Sequence, residues 1–225
     1  DNHQRISLSL TENYAPSWGA WEGVREFIQN WHDGVIQSAA GGTIEKSKEC
    51  RDEGSSVRYT ATVQGVELAS VDYDAPSETL TLINRNVALA RKVLLLGHSE
   101  KAQHADVAGQ FGEGMKVGAL ALLREGRAVV MRTSQEQWRW ARAMDPNFAV
   151  RVLTIFVSQC EQLSTSADGC LDCDVSLREG DTCTQITSLS SEDWEKFKRR
   201  FLFLEPPHDS FSCVVGSLLL DSKLS

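Results

Sequence analysis

Two hydrophobic periods alternate along this chain, and together they limit its fold more than any other feature. Between residues 24 and 35 the apolar side chains recur at helical spacing, which predicts an amphipathic helix. Most other apolar segments alternate with polar residues, as strands with one buried face do. These segments are 6–10, 57–63, 66–73, 79–83, 127–133, 137–143, 150–157, 184–189 and 213–220. We therefore expect one α+β domain spanning residues 1–225, and one interpretation is that this domain is an N-terminal piece of a longer protein.

The remaining segments complete the predicted organisation. Residues 115–123 are apolar and predict a buried helix, and residues 191–201 predict another helix after the capping residue Ser190. Residues 45–56 are strongly charged and indicate a connector. Residues 88–96 have a helical pattern. The sequence contains no internal repeat.

The charge and cysteine content narrow the partners and the compartment. Twenty-three basic against 31 acidic side chains give a net charge of −8, which opposes a long nucleic-acid groove. No apolar run approaches the roughly 20 residues of a membrane-spanning helix, so we expect no membrane partner. Six cysteines in a chain large enough to fold without disulfides predict free thiols. These features favour an intracellular protein, cytoplasmic or nuclear.

One cysteine pair has the spacing of a metal site. Cys170 and Cys173 are flanked by Cys160 and Cys183, so a four-thiolate zinc site is one interpretation. The alternative is a hairpin turn that carries unpaired thiols.

The predicted first helix has a polar face with chemical potential. Glu26, Asn30 and Asp33 follow one another at i, i+4 and i+7 and therefore lie on one side of the helix. Such a face could hold Mg²⁺ through the Asn30 oxygen while Glu26 takes a proton from an attacking water. The alternative is a solvated polar stripe.

A glycine-rich segment precedes the second helix. Residues 109–116 read GQFGEGMK, and their three glycines let backbone N–H groups approach phosphate oxygens at the start of a helix. The spacing fits neither the P-loop nor the dinucleotide-binding fingerprint. The segment is thus a candidate phosphate cradle, and the alternative is a glycine-rich turn.

Together these motifs resemble the GHKL ATPases, the superfamily of gyrase B, heat-shock chaperones, histidine kinases, MutL and the MORC proteins. Residues 26–33 resemble the N-box, residues 109–116 are similar to the glycine motif at the end of the lid, and residues 183–186 resemble a late strand whose threonine faces adenine. The resemblance covers nearly the whole chain. It implies a Bergerat fold, in which a mixed, mainly antiparallel sheet carries helices on one face and a mobile lid.

The resemblance also implies an activity. It is Mg²⁺-dependent ATP binding and slow hydrolysis, coupled to lid closure and to conformational change or homodimerisation through the lid and the N-terminal strand. Glu26 would be the general base and Asn30 the metal ligand. The implied nucleotide contacts are Asn30, Asp33, Asn84, Gly97, His98, Gly109, Gln110, Phe111, Gly112, Gly114, Met115, Lys116 and Thr184.

The sequence departs from the family at the base-binding motif. Where the family has Asp-x-Gly-x-Gly, residues 84–88 read NRNVA, so Asn84 replaces the aspartate and both glycines are missing. An asparagine can present its oxygen to adenine or both amide groups to guanine, which predicts looser selectivity. On this view Asn84→Asp should sharpen the preference for adenine. The competing hypothesis is a non-hydrolysing nucleotide-binding or scaffold module with a degenerate base pocket.

Overall fold

The computed structural model describes residues 4–95, 113–160, 177–178 and 180–204. Within these ranges the chain forms three α-helices and a nine-stranded sheet. The helices are α1 (Ala20–Ala39), α2 (Gly114–Arg124) and α3 (Ser191–Lys198). The strands are β1 (Gln4–Thr11), β2 (Glu45–Arg51), β3 (Ser56–Val63), β4 (Val66–Asp74), β5 (Thr79–Asn84), β6 (Ala128–Thr133), β7 (Glu136–Asp145), β8 (Val150–Gln159) and β9 (Thr182–Thr187).

The strands form one open sheet in the order β1-β8-β7-β6-β9-β5-β4-β3-β2. Every neighbouring pair is antiparallel, so the described sheet is not mixed. Strand β9 follows β8 in the chain but pairs between β6 and β5, in the middle of the sheet. The α+β class predicted from the sequence is confirmed, with strands as the dominant element.

All three helices pack on the same face of the sheet. Helix α1 contacts β4 and β5, and α2 contacts β6 and β7. Helix α3 reaches β4 through Trp194, which stacks on Tyr73 at a ring distance of 5.2 Å. A row of buried side chains crosses this face in register: Val71, Leu82, Thr184, Met131 and Trp138. The main core therefore lies between this face and the helices. None of the described helices combines the length and apolar character that crossing a membrane requires.

Two sequence predictions of secondary structure are wrong. Residues 45–56 are mostly strand β2, whose residues are nearly all exposed at the sheet edge. Charged side chains at an edge strand hinder pairing with other chains, which explains why a strand here reads as a connector. Of the predicted helix over 88–96, the described residues 88–95 contain only a short 3₁₀ turn, Arg91–Leu94.

Several predicted features fall outside the described residues. They are Gly97, His98, Gly109, Gln110, Phe111 and Gly112 of the expected lid, Cys170 and Cys173 of the candidate zinc site, and the strand predicted over 213–220.

Candidate functional site

The end of α2 fixes the start of α1. The Arg124 guanidinium donates to four backbone carbonyls of the connector between β1 and α1, those of Glu12, Tyr14, Ala15 and Trp18. The neighbouring Glu125 Oε1 accepts the Ala20 N–H at 2.9 Å, which satisfies one of the free donors at the helix start. These hydrogen bonds fix the position of the polar face of α1 relative to α2.

Helices α1 and α2 run antiparallel and cross unusually closely. A Cβ atom added to Gly23 would lie 2.6 Å from Leu122 Cγ and 2.8 Å from the Gly118 carbonyl oxygen. Only glycine permits this approach of the two backbones. As a consequence, the first residue of α2 lies beside Glu26.

Glu26 is held between a cation and the start of α2. Its Oε1 accepts from Arg25 Nη2 at 2.8 Å, and its side chain is only 16% exposed. A Cβ on Gly114 would lie 2.0 Å from Glu26 Oε2, so this oxygen occupies the space next to the first turn of α2. The positive end of the helix dipole favours a carboxylate there.

A small cavity opens between α1, the end of β5 and the central strands. It encloses about 70 Å³. The lining residues come from separate parts of the chain: Phe27, Asn30, Trp31, Leu82, Asn84, Val87, Leu89, Met115, Met131, Thr182 and Thr184. Four residues predicted to contact nucleotide, Asn30, Asn84, Met115 and Thr184, therefore meet at one place although up to 154 positions separate them (184 − 30).

Asn84 has a fixed orientation at the cavity. Its Nδ2 donates to the Trp31 carbonyl at 3.0 Å, and Trp31 Nε1 in turn donates to the carbonyl of Ile83 at 3.0 Å. Because a carbonyl can only accept, the NH₂ group must face Trp31 and the amide oxygen must face away from it. One N–H of the NH₂ group is therefore used within the protein, and presentation of both amide groups to a ligand stays a prediction.

Two polar side chains of the lining can reach a ligand in the cavity. Asn84 is 9% and Thr184 is 5% exposed. The Asn84 oxygen faces away from the Trp31 carbonyl, and Thr184 belongs to the same lining. In the part of the chain that the structure describes, the buried side-chain atoms without a hydrogen-bond partner are Arg127 Nε, Trp140 Nε1 and Trp194 Nε1, and none of these residues lines the cavity.

The segment of residues 85–89 forms part of the cavity wall through Val87 and Leu89, at the place where the resemblance to GHKL ATPases predicts a glycine motif. Asn86 adopts a left-handed conformation with φ of 54°, which asparagine tolerates better than most residues. Its N–H donates to Asp181 Oδ1 at 3.0 Å, and Thr133 Oγ1 accepts the Leu89 N–H at 2.7 Å. Sequence reasoning missed Asp181, Thr133 and Thr182. The sequence signal that could have indicated these residues is the presence of hydroxyl and carboxyl side chains at the ends of buried strands.

Asp181 is an ionised anchor of this wall. Burial pushes the pKa of Asp181 upward, but hydrogen bonds from the N–H of Arg178, from Arg85 and from the N–H of Asn86 hold the pKa below its usual value. Arg85 continues this network to Glu67 at 3.1 Å.

Three predicted contacts among the described residues, Asp33, Gly114 and Lys116, do not line the cavity. Asp33 is half-buried on α1, and it is not among the lining residues. Lys116 is fully buried, and its Nζ donates to the Leu95 carbonyl at 2.6 Å. Burial lowers the pKa of Lys116, while Glu113 opposes this shift. Contact of Lys116 or Asp33 with nucleotide stays a prediction.

The donor set is compatible with magnesium shared with a phosphate ligand. Within the described ranges, no three His, Cys, Asp or Glu side chains converge as a metal site. Mg²⁺ in nucleotide sites usually takes one or two protein oxygens and completes its shell with phosphates and waters. The exposed Asn30, which lines the cavity, meets that limited requirement.

The cavity is small compared with the pockets that hold complete ligands. At about 10–15 Å³ for each enclosed water, its volume of about 70 Å³ is space for about five waters. Pockets for complete small ligands span about 300–1,000 Å³, so the described lining could enclose only part of such a ligand.

Comparison with known proteins gives no relative from which to transfer a function. No family model, curated protein or solved structure matches this chain. A function can therefore be inferred only from the residues themselves.

Proposed function

We propose that this domain binds an adenine nucleotide with Mg²⁺ and hydrolyses it slowly, in a Bergerat-type arrangement. The observation that carries the proposal is the cavity itself. Four segments predicted separately from the sequence supply Asn30, Asn84, Met115 and Thr184 to its lining. Two of these residues, Asn84 and Thr184, are buried and carry polar side chains.

The orientation of Asn84 supports adenine over guanine. One N–H of its NH₂ group donates to the Trp31 carbonyl, so its oxygen faces away from Trp31 and offers a ligand an acceptor. The exocyclic amino group of adenine is a donor, whereas guanine has an acceptor oxygen at the same ring position. Leaving such a buried group unpaired costs about 1–3 kcal/mol, which corresponds to about 5–150-fold in affinity.

The same contact changes the expected effect of Asn84→Asp. A carboxylate would place a second oxygen against the Trp31 carbonyl, where the NH₂ group now donates. Two facing acceptors repel each other, so we expect this variant to lose stability rather than gain selectivity.

The polar face of α1 supports the chemical step. Glu26 would accept the proton of the attacking water, and Asn30 would supply an oxygen to the magnesium ion that neutralises phosphate charge. The ion pair with Arg25 and the start of α2 hold the Glu26 carboxylate in one place. Hydrolysis by positioning and charge neutralisation needs little more from the protein.

Titration of the protein with ATP and GTP in the presence of Mg²⁺ tests the proposal. We expect ATP to bind at least about fivefold more tightly than GTP, the low end of the range for one unpaired buried group. Thr184→Val should weaken ATP binding by a similar factor, because it removes the hydroxyl from the cavity. The matched control is Thr81→Val, since Thr81 pairs with Gln185 and therefore lies on the opposite face of the sheet. Equal losses in the two variants would argue against binding at this cavity.

The alternative is a scaffold that binds nucleotide without hydrolysis. The missing Asp-x-Gly-x-Gly motif favours this alternative, whereas the held position of Glu26 favours the enzyme. Phosphate release above background by the parent protein, absent in Glu26→Ala, would decide for the enzyme.

A further inference from the structure

The part of the cavity wall formed by residues 85–89 has no regular secondary structure of its own. Residues 85–89 leave β5 as a turn and continue without helix or strand, and they bring Val87 and Leu89 to the cavity. A wall of this kind keeps its shape only if other elements hold its backbone groups.

Three side chains from β6, β9 and the residue before β9 hold this segment. Asp181, whose side chain is fully buried, accepts the Asn86 N–H at 3.0 Å and pairs with Arg85 at 2.8 Å. The Thr182 hydroxyl bonds the Val87 carbonyl, and Thr133 Oγ1 accepts the Leu89 N–H at 2.7 Å.

The two threonines form a relay whose proton positions are determined. The Thr182 hydroxyl has one proton, and the Val87 carbonyl can only accept it. Thr133 and Thr182 lie 2.9 Å apart, so Thr133 must donate to Thr182 Oγ1. The relay therefore runs from the Leu89 N–H through both hydroxyls to the Val87 carbonyl, and it ties the two ends of one short stretch together.

We propose that Thr133, Thr182 and Asp181 are positioning residues that hold segment 85–89 in the shape that grips a bound purine. This role rests on the proposed function. Val87 and Leu89 would pack against the ring, and a wall already in place removes the ordering cost that a loose segment would add on binding. The relay leaves Thr184 as the hydroxyl that faces the ligand among the described threonines of the lining.

Thr133→Val tests the relay, because it keeps the shape of the side chain and removes only the hydroxyl. The matched control is Thr154→Val, since Thr154 is equally buried in β8 but does not line the cavity. Thr133→Ser restores the hydroxyl. The readouts are amide hydrogen exchange of Leu89 without ligand and affinity for Mg²⁺–ADP by titration.

We expect faster exchange at Leu89 and a loss of ADP affinity of at least about fivefold in Thr133→Val, the low end for one broken buried hydrogen bond. Thr133→Ser should match the parent in both, and Thr154→Val should change neither. If Thr133→Val does not fold, Thr182→Ala tests the other end of the relay, because it removes the hydroxyl that bonds the Val87 carbonyl. We then expect the loss of ADP affinity with a smaller change in exchange at Leu89, whose acceptor Thr133 is retained.

The outcomes separate this role from the proposed function. If the parent protein binds ADP and the Thr133→Val variant binds it with equal affinity, the positioning role alone is overturned. Failure of Thr133→Ser to restore affinity would overturn it as well, because the hydroxyl would not be the cause. A parent that binds no ADP or ATP would overturn the proposed function, and the positioning role with it.

Discussion

Gly114→Ala should displace the Glu26 carboxylate without disrupting the fold. A Cβ at this position would lie 2.0 Å from Glu26 Oε2 and 2.9 Å from Cδ. The carboxylate must therefore retreat by about 1.5 Å to reach an ordinary contact distance of about 3.5 Å. A misplacement of about 1 Å at a catalytic group can lower a rate about a hundredfold, so we expect a loss of hydrolysis of at least that size.

The same substitution should change stability little. The displaced carboxylate loses its contact with Arg25, and such a partly exposed ion pair is worth about 0–1 kcal/mol. Alanine favours a helix over glycine by up to about 1 kcal/mol, less at the first position of the helix. We expect the free energy of unfolding, measured by urea titration, to stay within about 1 kcal/mol of the parent value.

A double-mutant cycle with Glu26→Ala isolates the cause. Glu26→Ala should lower phosphate release by at least about a hundredfold while ATP affinity is retained, because a general base acts mainly on the rate. Gly114→Ala added to Glu26→Ala should lower the rate no further, since no carboxylate remains to be displaced. Parental hydrolysis in Gly114→Ala, or equal additional losses in both backgrounds, would refute this reasoning.

Two further predictions concern Asn30 and His32. Asn30→Ala should weaken Mg²⁺-dependent ATP binding, because it removes a metal-coordinating oxygen; unchanged affinity across magnesium concentrations would exclude that role. Burial and the charge of Lys46 keep the pKa of His32 below its usual value of about 6.5, although Asp33 opposes them. The unfolded chain therefore takes up this proton first, so stability should fall as pH drops below about 6.5 towards the lowered pKa. His32→Gln should flatten that slope in urea unfolding, and an identical slope would contradict the assignment.

The hydrophobic periods predicted most of the described elements. Helix α1 and the hairpin of β3 and β4 follow directly from spacing, because each buries one face against the core. Gln64 and Gly65 both adopt positive φ, which suits the tight turn between these strands. Strand β2 was not predictable in this way, since its residues are almost all exposed and its pattern reports solvent contact rather than burial.

The candidate site was predictable in part. Local motifs indicated Glu26, Asn30 and Gly114, because their roles follow from spacing on a helix or from glycine at a helix start. The support that Thr133 and Asp181 give to the site could not be predicted from the sequence, because it depends on β9 pairing between β5 and β6. The direction of the Asn84 amide was equally hidden, because it is set by the carbonyl of Trp31, 53 positions away.

Methyl NMR of the methionines tests the central claim most directly, because the chain contains three methionines and two of them line the cavity. Met115 and Met131 belong to the lining, whereas Met144 is 53% exposed near the end of β7 and is an internal control. With methionine ¹³C-methyl labelling and assignment by Met→Leu variants, addition of Mg²⁺–ADP should shift the Met115 and Met131 resonances and leave Met144 unchanged. Absence of any shift at saturating ADP, or a shift confined to Met144, would contradict adenine nucleotide binding at this cavity.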